Sequence, residues 1–166
     1  MINNRYRLKL TPQAISIQPH YYLLKKNFRW YINLLVAAAL CLPLAEQYFG
    51  ETGLVIDLGM AGTILFYMAK DYFFSINIRY IFDRSTRCIY KSNPPFAANK
   101  PIIRFNETTI FTCAECGYWY YAIGIKQKQF LKNYCISEPF GSGKKSTQQQ
   151  EYEQQILSKI NDMIAS

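Results

Sequence analysis

From Trp30 to Phe74 the chain is almost continuously apolar, and no lysine or arginine occurs between Arg29 and Lys70. Two runs make up this block, YINLLVAAALCLPLAEQYF after Trp30 and GLVIDLGMAGTILFYMAKDYFF from Gly53. Each has about the 20 residues needed to cross a hydrocarbon core of about 30 Å. The pattern predicts a helical hairpin in a bilayer over residues 30–74. Glu46, Gly50 and Glu51 form its short acidic connector. Arg5, Arg7, Lys9, Lys25, Lys26 and Arg29 precede it, and Lys70, Arg79, Arg84 and Arg87 come after it. The excess of positive charge on cytoplasmic flanks puts both termini in the cytoplasm. Trp30, Tyr31, Tyr48, Phe49, Tyr72, Phe73 and Phe74 stand at the span ends, where amphipathic rings bridge apolar and wet layers.

Asp57 and Pro43 favour the alternative, a pair of helices buried in a soluble protein. A membrane span accommodates both: the carboxyl can lie near the interface or face the neighbouring helix, and neighbouring groups can satisfy the carbonyl that proline frees. Gly59 and Gly62 offer small surfaces for close approach of the first helix.

Outside the block the periodicity changes to two. Tyr6, Leu8 and Leu10 alternate with Arg7 and Lys9, and Thr11-Pro12-Gln13 leads into Ile15 and Ile17, a hairpin pattern. A lone hairpin is too small to be stable, so residues 1–29 are expected to join a sheet formed later in the chain. Ile78 to Phe82 and Cys88 to Lys91 flank the turn Asp83-Arg84-Ser85-Thr86-Arg87, and Pro94 and Pro95 separate this second hairpin from the next strand-like run. Ile102 to Phe105, Thr108 to Cys113, Tyr118 to Ile125 and Phe130 to Ser137 supply four more such runs, separated by Asn106-Glu107, Gly117 and Lys126-Gln127-Lys128. An antiparallel meander results. After Gly141-Ser142-Gly143, Ser146 or Thr147 with glutamine three residues later forms a capping box, and Tyr152, Ile156, Leu157, Ile160, Met163 and Ile164 make one apolar helical stripe. Residues 75–166 thus read as a cytoplasmic β domain closed by a C-terminal amphipathic helix.

The strand pair, the membrane hairpin, Phe82-Asp83-x-x-x-Arg87-x-Ile89-Tyr90, the Pro-Ile-Ile-Arg-Phe-Asn-Glu step and the closing helix together resemble bacterial pleckstrin-homology-like membrane proteins. The resemblance implies an α+β membrane protein with a curved antiparallel sheet or barrel capped by the helix. It also implies binding or assembly at the membrane rather than catalysis.

Little in the chain points to catalysis. His20, the one histidine, comes directly after Pro19, and no cluster of acids or histidines accompanies Cys113, Cys116 or Cys135. Cys113 and Cys116 form a C-x-x-C pair without the second pair that a four-ligand zinc site needs. Gly141-Ser142-Gly143-Lys144-Lys145-Ser146-Thr147 departs from a phosphate loop, which requires glycine at Glu138 and a hydroxyl residue at Lys145. No catalytic, cofactor-binding or metal-ligating residues are assigned.

The formal charge of +8, from 19 Lys and Arg against 11 Asp and Glu, favours anionic neighbours, and the basic residues bracket the apolar block. Membrane lipid is the expected anionic partner, not nucleic acid. Lys25, Lys26, Arg29 and Lys70 are the expected lipid-facing basic residues. Tyr118, Trp119, Tyr120 and Tyr121 are the expected protein-binding residues, with alternation turning half of them into the core. The leading expectation is a non-enzymatic binding protein anchored in the bacterial inner membrane, in its specific form an immunity protein that neutralises a toxin or secreted effector. The alternative is a sensor of anionic lipid headgroups.

Overall fold

The computed structural model describes residues 5–94, 97–126, 133–141 and 145–165. The chain forms two compact units, residues 1–22 with 77–166, and residues 23–76. It is an α+β protein with antiparallel sheets and one long apolar helix.

In the β unit, β1 (Lys9–Leu10) and β2 (Ala14–Ile17) form the first hairpin, closed by reciprocal hydrogen bonds between Thr11 and Ala14. β2 then pairs with β3 (Arg79–Asp83), β3 with β4 (Cys88–Asn93) and β4 with β5 (Ala97–Arg104), all antiparallel. Facing pairs share one side of a sheet, so Ile15 opposite Phe82, Ile17 opposite Tyr80, and Ile89 opposite both Phe82 and Ile103 build a continuous apolar face. A slip of one residue would turn this face to water, so burial specifies the register. At the β3–β4 turn, the Asp83 carboxylate accepts hydrogen bonds from the Ser85 backbone and hydroxyl at 2.9 and 2.7 Å and from Thr86 at 3.1 Å. These bonds are what fold the turn back on itself.

The expected meander divides into two sheets. A 3₁₀ turn at Phe105–Glu107 separates β5 from β6 (Thr108–Glu115), which pairs with β7 (Tyr118–Ile125) and through it with β8 (Tyr134–Cys135). The Thr108 hydroxyl donates to the Arg104 carbonyl across this turn at 2.7 Å. β5 also begins earlier than the expected Ile102, at Ala97, because Asn93 pairs with Ala97 and Lys91 with Lys100. Pairing overrides the weak strand preference of Ala97-Ala98-Asn99-Lys100. Cys116 and Gly117 connect β6 and β7 with φ of 48° and 77°, a two-residue turn with both centres left-handed that matches the strand twist. The expected turn at Gln127-Lys128 and the run at Phe130 lie outside the described residues.

The C-terminal helical run comprises α2 (Lys145–Tyr152), a π turn (Glu153–Leu157) and α3 (Ser158–Ala165); the long helix before β3 is α1 (Leu23–Asp71). Helix starts at Lys145, so Ser146 and Thr147 lie within the first turn rather than ahead of it. Tyr152, Ile156 and Ile160 are buried, and Leu157, Met163 and Ile164 pack against them. One core therefore joins both sheets and the terminal helices, with Tyr6, Phe82, Ile123, Phe140 and Tyr152 among its members. Glu138 sits in this unit paired with Arg5, and its backbone N–H donates to the Tyr6 hydroxyl.

His20, in the same unit, is held below its ordinary pKa by burial and secondarily by Lys91. A depressed histidine pKa means that the unfolded chain takes up the proton first, so stability is complete above the unfolded value of about 6.5 and falls as pH drops through it. Thermal unfolding of the full chain should therefore shift downward between pH 7 and pH 5, and His20→Gln should flatten that dependence. Asp83 is held low by its Ser85 bonds, so its contribution is lost only below the ordinary carboxylate range and does not overlap this window.

Instead of two separately bounded spans, the apolar block is one long helical element, α1, with a kink at Gly50, where φ is 59° and ψ is −144°. Glycine reaches that left-handed conformation without the strain a Cβ would bring. None of its most apolar stretch is buried, and among the described residues α1 with its adjoining turn is the one helix long and apolar enough to cross a membrane. The Tyr31 hydroxyl donates to Asp71 Oδ2 at 2.7 Å and Asn27 Nδ2 donates to the same oxygen at 3.2 Å. A Cβ built on Gly59 or Gly62 has no neighbour within 4 Å, whereas one on Gly53 would lie 2.4 Å from the Ala45 carbonyl oxygen. The close approach is thus at Gly53, next to the kink, and not at the two glycines deeper in the segment.

Candidate functional site

The four consecutive aromatic residues of β7 divide as the strand period requires. Trp119 and Tyr121 turn inward and pack against the core. Trp119 Nε1 donates to Gln149 Oε1 at 2.8 Å, and Gln149 Nε2 donates to the Tyr121 hydroxyl at 3.2 Å and to Glu153 Oε1 at 2.7 Å. Tyr121 also donates to Glu153. Gln149 and Glu153, four residues apart on the C-terminal helical run, thereby lock that run onto β7. Tyr121 further stacks on Tyr152, with centroids 5.8 Å apart and planes 12° from parallel. Burial and the Glu153 hydrogen bond raise the Tyr121 pKa. The inward pair has a structural task that sequence alternation alone did not assign.

Tyr118 and Tyr120 face the other way. Tyr118 is 47% exposed, and its ring covers Gly141 so closely that a Cβ there would sit 3.0 Å from two ring carbons. Glu115 lies opposite Tyr118 and Cys113 opposite Tyr120, while Cys135 of β8 lies opposite Ala122 on the same side. The thiol of Cys135 donates to the Ser137 carbonyl at 3.0 Å, and burial, with Cys113 adding to it, pushes its pKa up to about 11. A thiol held protonated is a poor nucleophile and a poor metal ligand. Tyr120 is raised by desolvation and by Cys113. Cys116 occupies the turn tip, three residues beyond Cys113 but off the strand. Among the described residues no three His, Cys, Asp or Glu side chains are arranged to hold a metal ion.

The basic residues gather at one end of the second unit. Lys26 and Arg29 are exposed one turn apart near the start of α1, and Lys70 is exposed near its end with Nζ 5.5 Å from the Tyr67 ring centroid. The side chain of Lys25 is outside the described part of the structure. Because Asp71 accepts from both Asn27 and Tyr31, the start and end of α1 meet, which brings the segments carrying Lys26, Arg29 and Lys70 to the same end. Phe28 and Tyr72 touch edge to face there, with centroids 6.2 Å apart. At the kink, Tyr48 and Phe49 are each 74% exposed, near Glu46 and Glu51. One end of the segment is therefore basic and the other acidic, with aromatic rings at both.

Among the residues that the sequence did not mark as a site are those around the kink. Asp57 is 3% exposed, beside a cavity that Cys41, Tyr48, Phe49 and Met60 also line. Its charge is visible in the sequence, but the cavity depends on the fold at Gly50. No family model, curated protein or solved structure matches the chain.

Proposed function

We propose that this protein is a non-enzymatic binding protein that crosses the bacterial cytoplasmic membrane as a hairpin of α1 and presents its β unit to a protein partner in the cytoplasm. The observation that carries this reading is the unburied apolar surface of α1 in a chain whose β unit has its own core without it. Such a surface, far larger than a soluble monomer tolerates, calls for lipid around it. The fold-back is supported by the Tyr31–Asp71 hydrogen bond, because a straight helix would hold residues 40 positions apart at a distance of about 60 Å. The basic residues flanking α1 and the acidic pair at its kink support a topology with both termini in the cytoplasm. Two sheets closed by a C-terminal helix are in keeping with a pleckstrin-homology-like domain.

On this reading Tyr118 and Tyr120 are the partner-facing aromatics, since Trp119 and Tyr121 are committed to the helical run. Confining the β unit to the membrane raises its effective concentration for a partner acting there, and the specific form is an immunity protein that acts by occupying a toxin. The gathering of Lys26, Arg29 and Lys70 favours the second reading, a sensor of anionic headgroups.

Reporter fusions and paired substitutions test these readings. A reporter after Ser166 should be active only in the cytoplasm and one at Gly50 only outside, and release of the chain by alkaline carbonate would overturn the membrane reading. Tyr118→Ala with Tyr120→Ala should weaken the partner complex by more than about 1 kcal/mol while membrane insertion persists. Loss of function on neutralising Lys26, Arg29 and Lys70, with the tyrosine changes silent, would select the lipid reading.

A further inference from the structure

At the kink of α1 the cavity has a volume of about 510 Å³. Its wall is formed by Cys41, Leu44, Tyr48, Phe49 and Met60, and Asp57 is its one acidic lining residue. Asp57 is 97% removed from solvent, being 3% exposed, and among the described residues its Oδ2 has no hydrogen-bond partner. A buried carboxylate without a donor is costly, and structures retain one where something arrives to satisfy it. The Tyr48 and Thr52 hydroxyls line the same cavity without bonding this oxygen, and no lysine, arginine or histidine occurs between Arg29 and Lys70 to supply a cation. A second copy of α1 laid against the groove would bring a second Asp57 and no cation. A molecule cationic at one end and apolar along its body would complement both this acid and the apolar walls around it.

The cavity has the size of small-molecule sites, about 300–1,000 Å³, and its lining has their character, apolar walls with a polar group that fixes orientation. Tyr48 and Phe49 at the kink add ring faces that attract cations. We propose that this groove binds an amphiphilic cation, with an ammonium group hydrogen-bonded to Asp57 Oδ2 and its apolar body along Leu44 and Met60. The proposal rests on the fold-back of α1 into a membrane hairpin. Two sources carry this chemistry, a free amphiphilic amine and the amine headgroup of a membrane lipid. Neither needs any covalent step.

The full chain, carrying a labelled Met60 methyl and placed in phosphocholine nanodiscs, would be titrated with octylammonium and, separately, with 1-octanol. Octylammonium should shift the Met60 resonance at a concentration at least about tenfold below that needed for octanol, the scale of one charge-assisted hydrogen bond. Asp57→Asn should reduce that preference towards unity, and Asp57→Glu should retain it. Nanodiscs containing an ethanolamine-headgroup lipid form the second arm, in which a Met60 shift that Asp57→Asn removes would identify the lipid amine as the source. Equal responses to the amine and the alcohol, or a preference that survives Asp57→Asn, would overturn the proposal. Failure of the fold-back itself is read separately, from whether cysteines at Phe28→Cys and Tyr72→Cys, which leave the Asp71 hydrogen bonds in place, can be joined by a short bis-maleimide in a chain whose native cysteines are serine.

Discussion

Tyr152→Ala should destabilise the β unit by about 3–5 kcal/mol, the usual cost of emptying a buried aromatic site. The ring is fully buried and meets Tyr6 at 5.0 Å, Phe140 at 5.8 Å and Tyr121 at 5.8 Å between centroids. It therefore ties the C-terminal helical run to the N-terminal segment and to β7 at once. Its hydroxyl donates to the Ile136 carbonyl at 2.8 Å, so Tyr152→Phe should keep the packing and lose about 1–3 kcal/mol for the unsatisfied acceptor. Amide hydrogen exchange of the full chain reads the difference. Protection in β2 and β3 should fall with that of the helix in Tyr152→Ala. If only the terminal helix frays while Ile17 and Phe82 stay protected, the shared core is less cooperative than its packing indicates.

Gly53→Leu should open the kink of α1. The first added carbon would lie 2.4 Å from the Ala45 carbonyl oxygen and 2.8 Å from Phe49 Cβ, and the nearest obstacle is backbone that cannot rotate aside. Overpacking of this kind typically costs about 1–3 kcal/mol, and here the strain is relieved by separating the two arms. The bis-maleimide joining of Phe28→Cys to Tyr72→Cys should fall accordingly. Gly59→Leu is the matched control, because a Cβ there meets nothing within 4 Å. Undiminished joining in Gly53→Leu, or an equal loss in Gly59→Leu, would show that the contact at Ala45 does not set the approach of the arms.

What the sequence disclosed depended on the strength of its periodicity. Ile15, Ile17, Tyr80, Phe82 and Ile89 are recognisable because alternation leaves them one apolar face to bury, and Tyr152, Ile156 and Ile160 because they recur at helical spacing. Four aromatics in succession, Tyr118 to Tyr121, hide their own alternation, since hydrophobicity does not distinguish one face from the other. The assignment depends on Gln149 and Glu153, 30 and 32 positions later, which capture Trp119 and Tyr121. The division into two sheets was equally hidden. Phe105-Asn106-Glu107 carries no glycine or proline, and its turn is held by the Thr108 hydroxyl on the Arg104 carbonyl. Three glycines of α1, Gly53, Gly59 and Gly62, look alike in a linear text, and only the geometry at Gly50 decides which one another backbone approaches.

The pairing of β2 with β3 also sets a timetable. Ile17 finds its partner in Tyr80, beyond the whole of α1, so during synthesis the first hairpin leaves the ribosome with no strand to join. At about 5–20 residues per second, it waits several seconds while α1 is made. Through that interval the apolar side chains of Ile15 and Ile17 and the open edge of β2 are available to any neighbouring strand. A slowed or truncated translation after Asp71 would therefore yield a long apolar helix carrying an adhesive hairpin. The turn at the end of α1 and the arrival of Arg79–Asp83 form the step at which a nascent chain passes from aggregation hazard to folded protein.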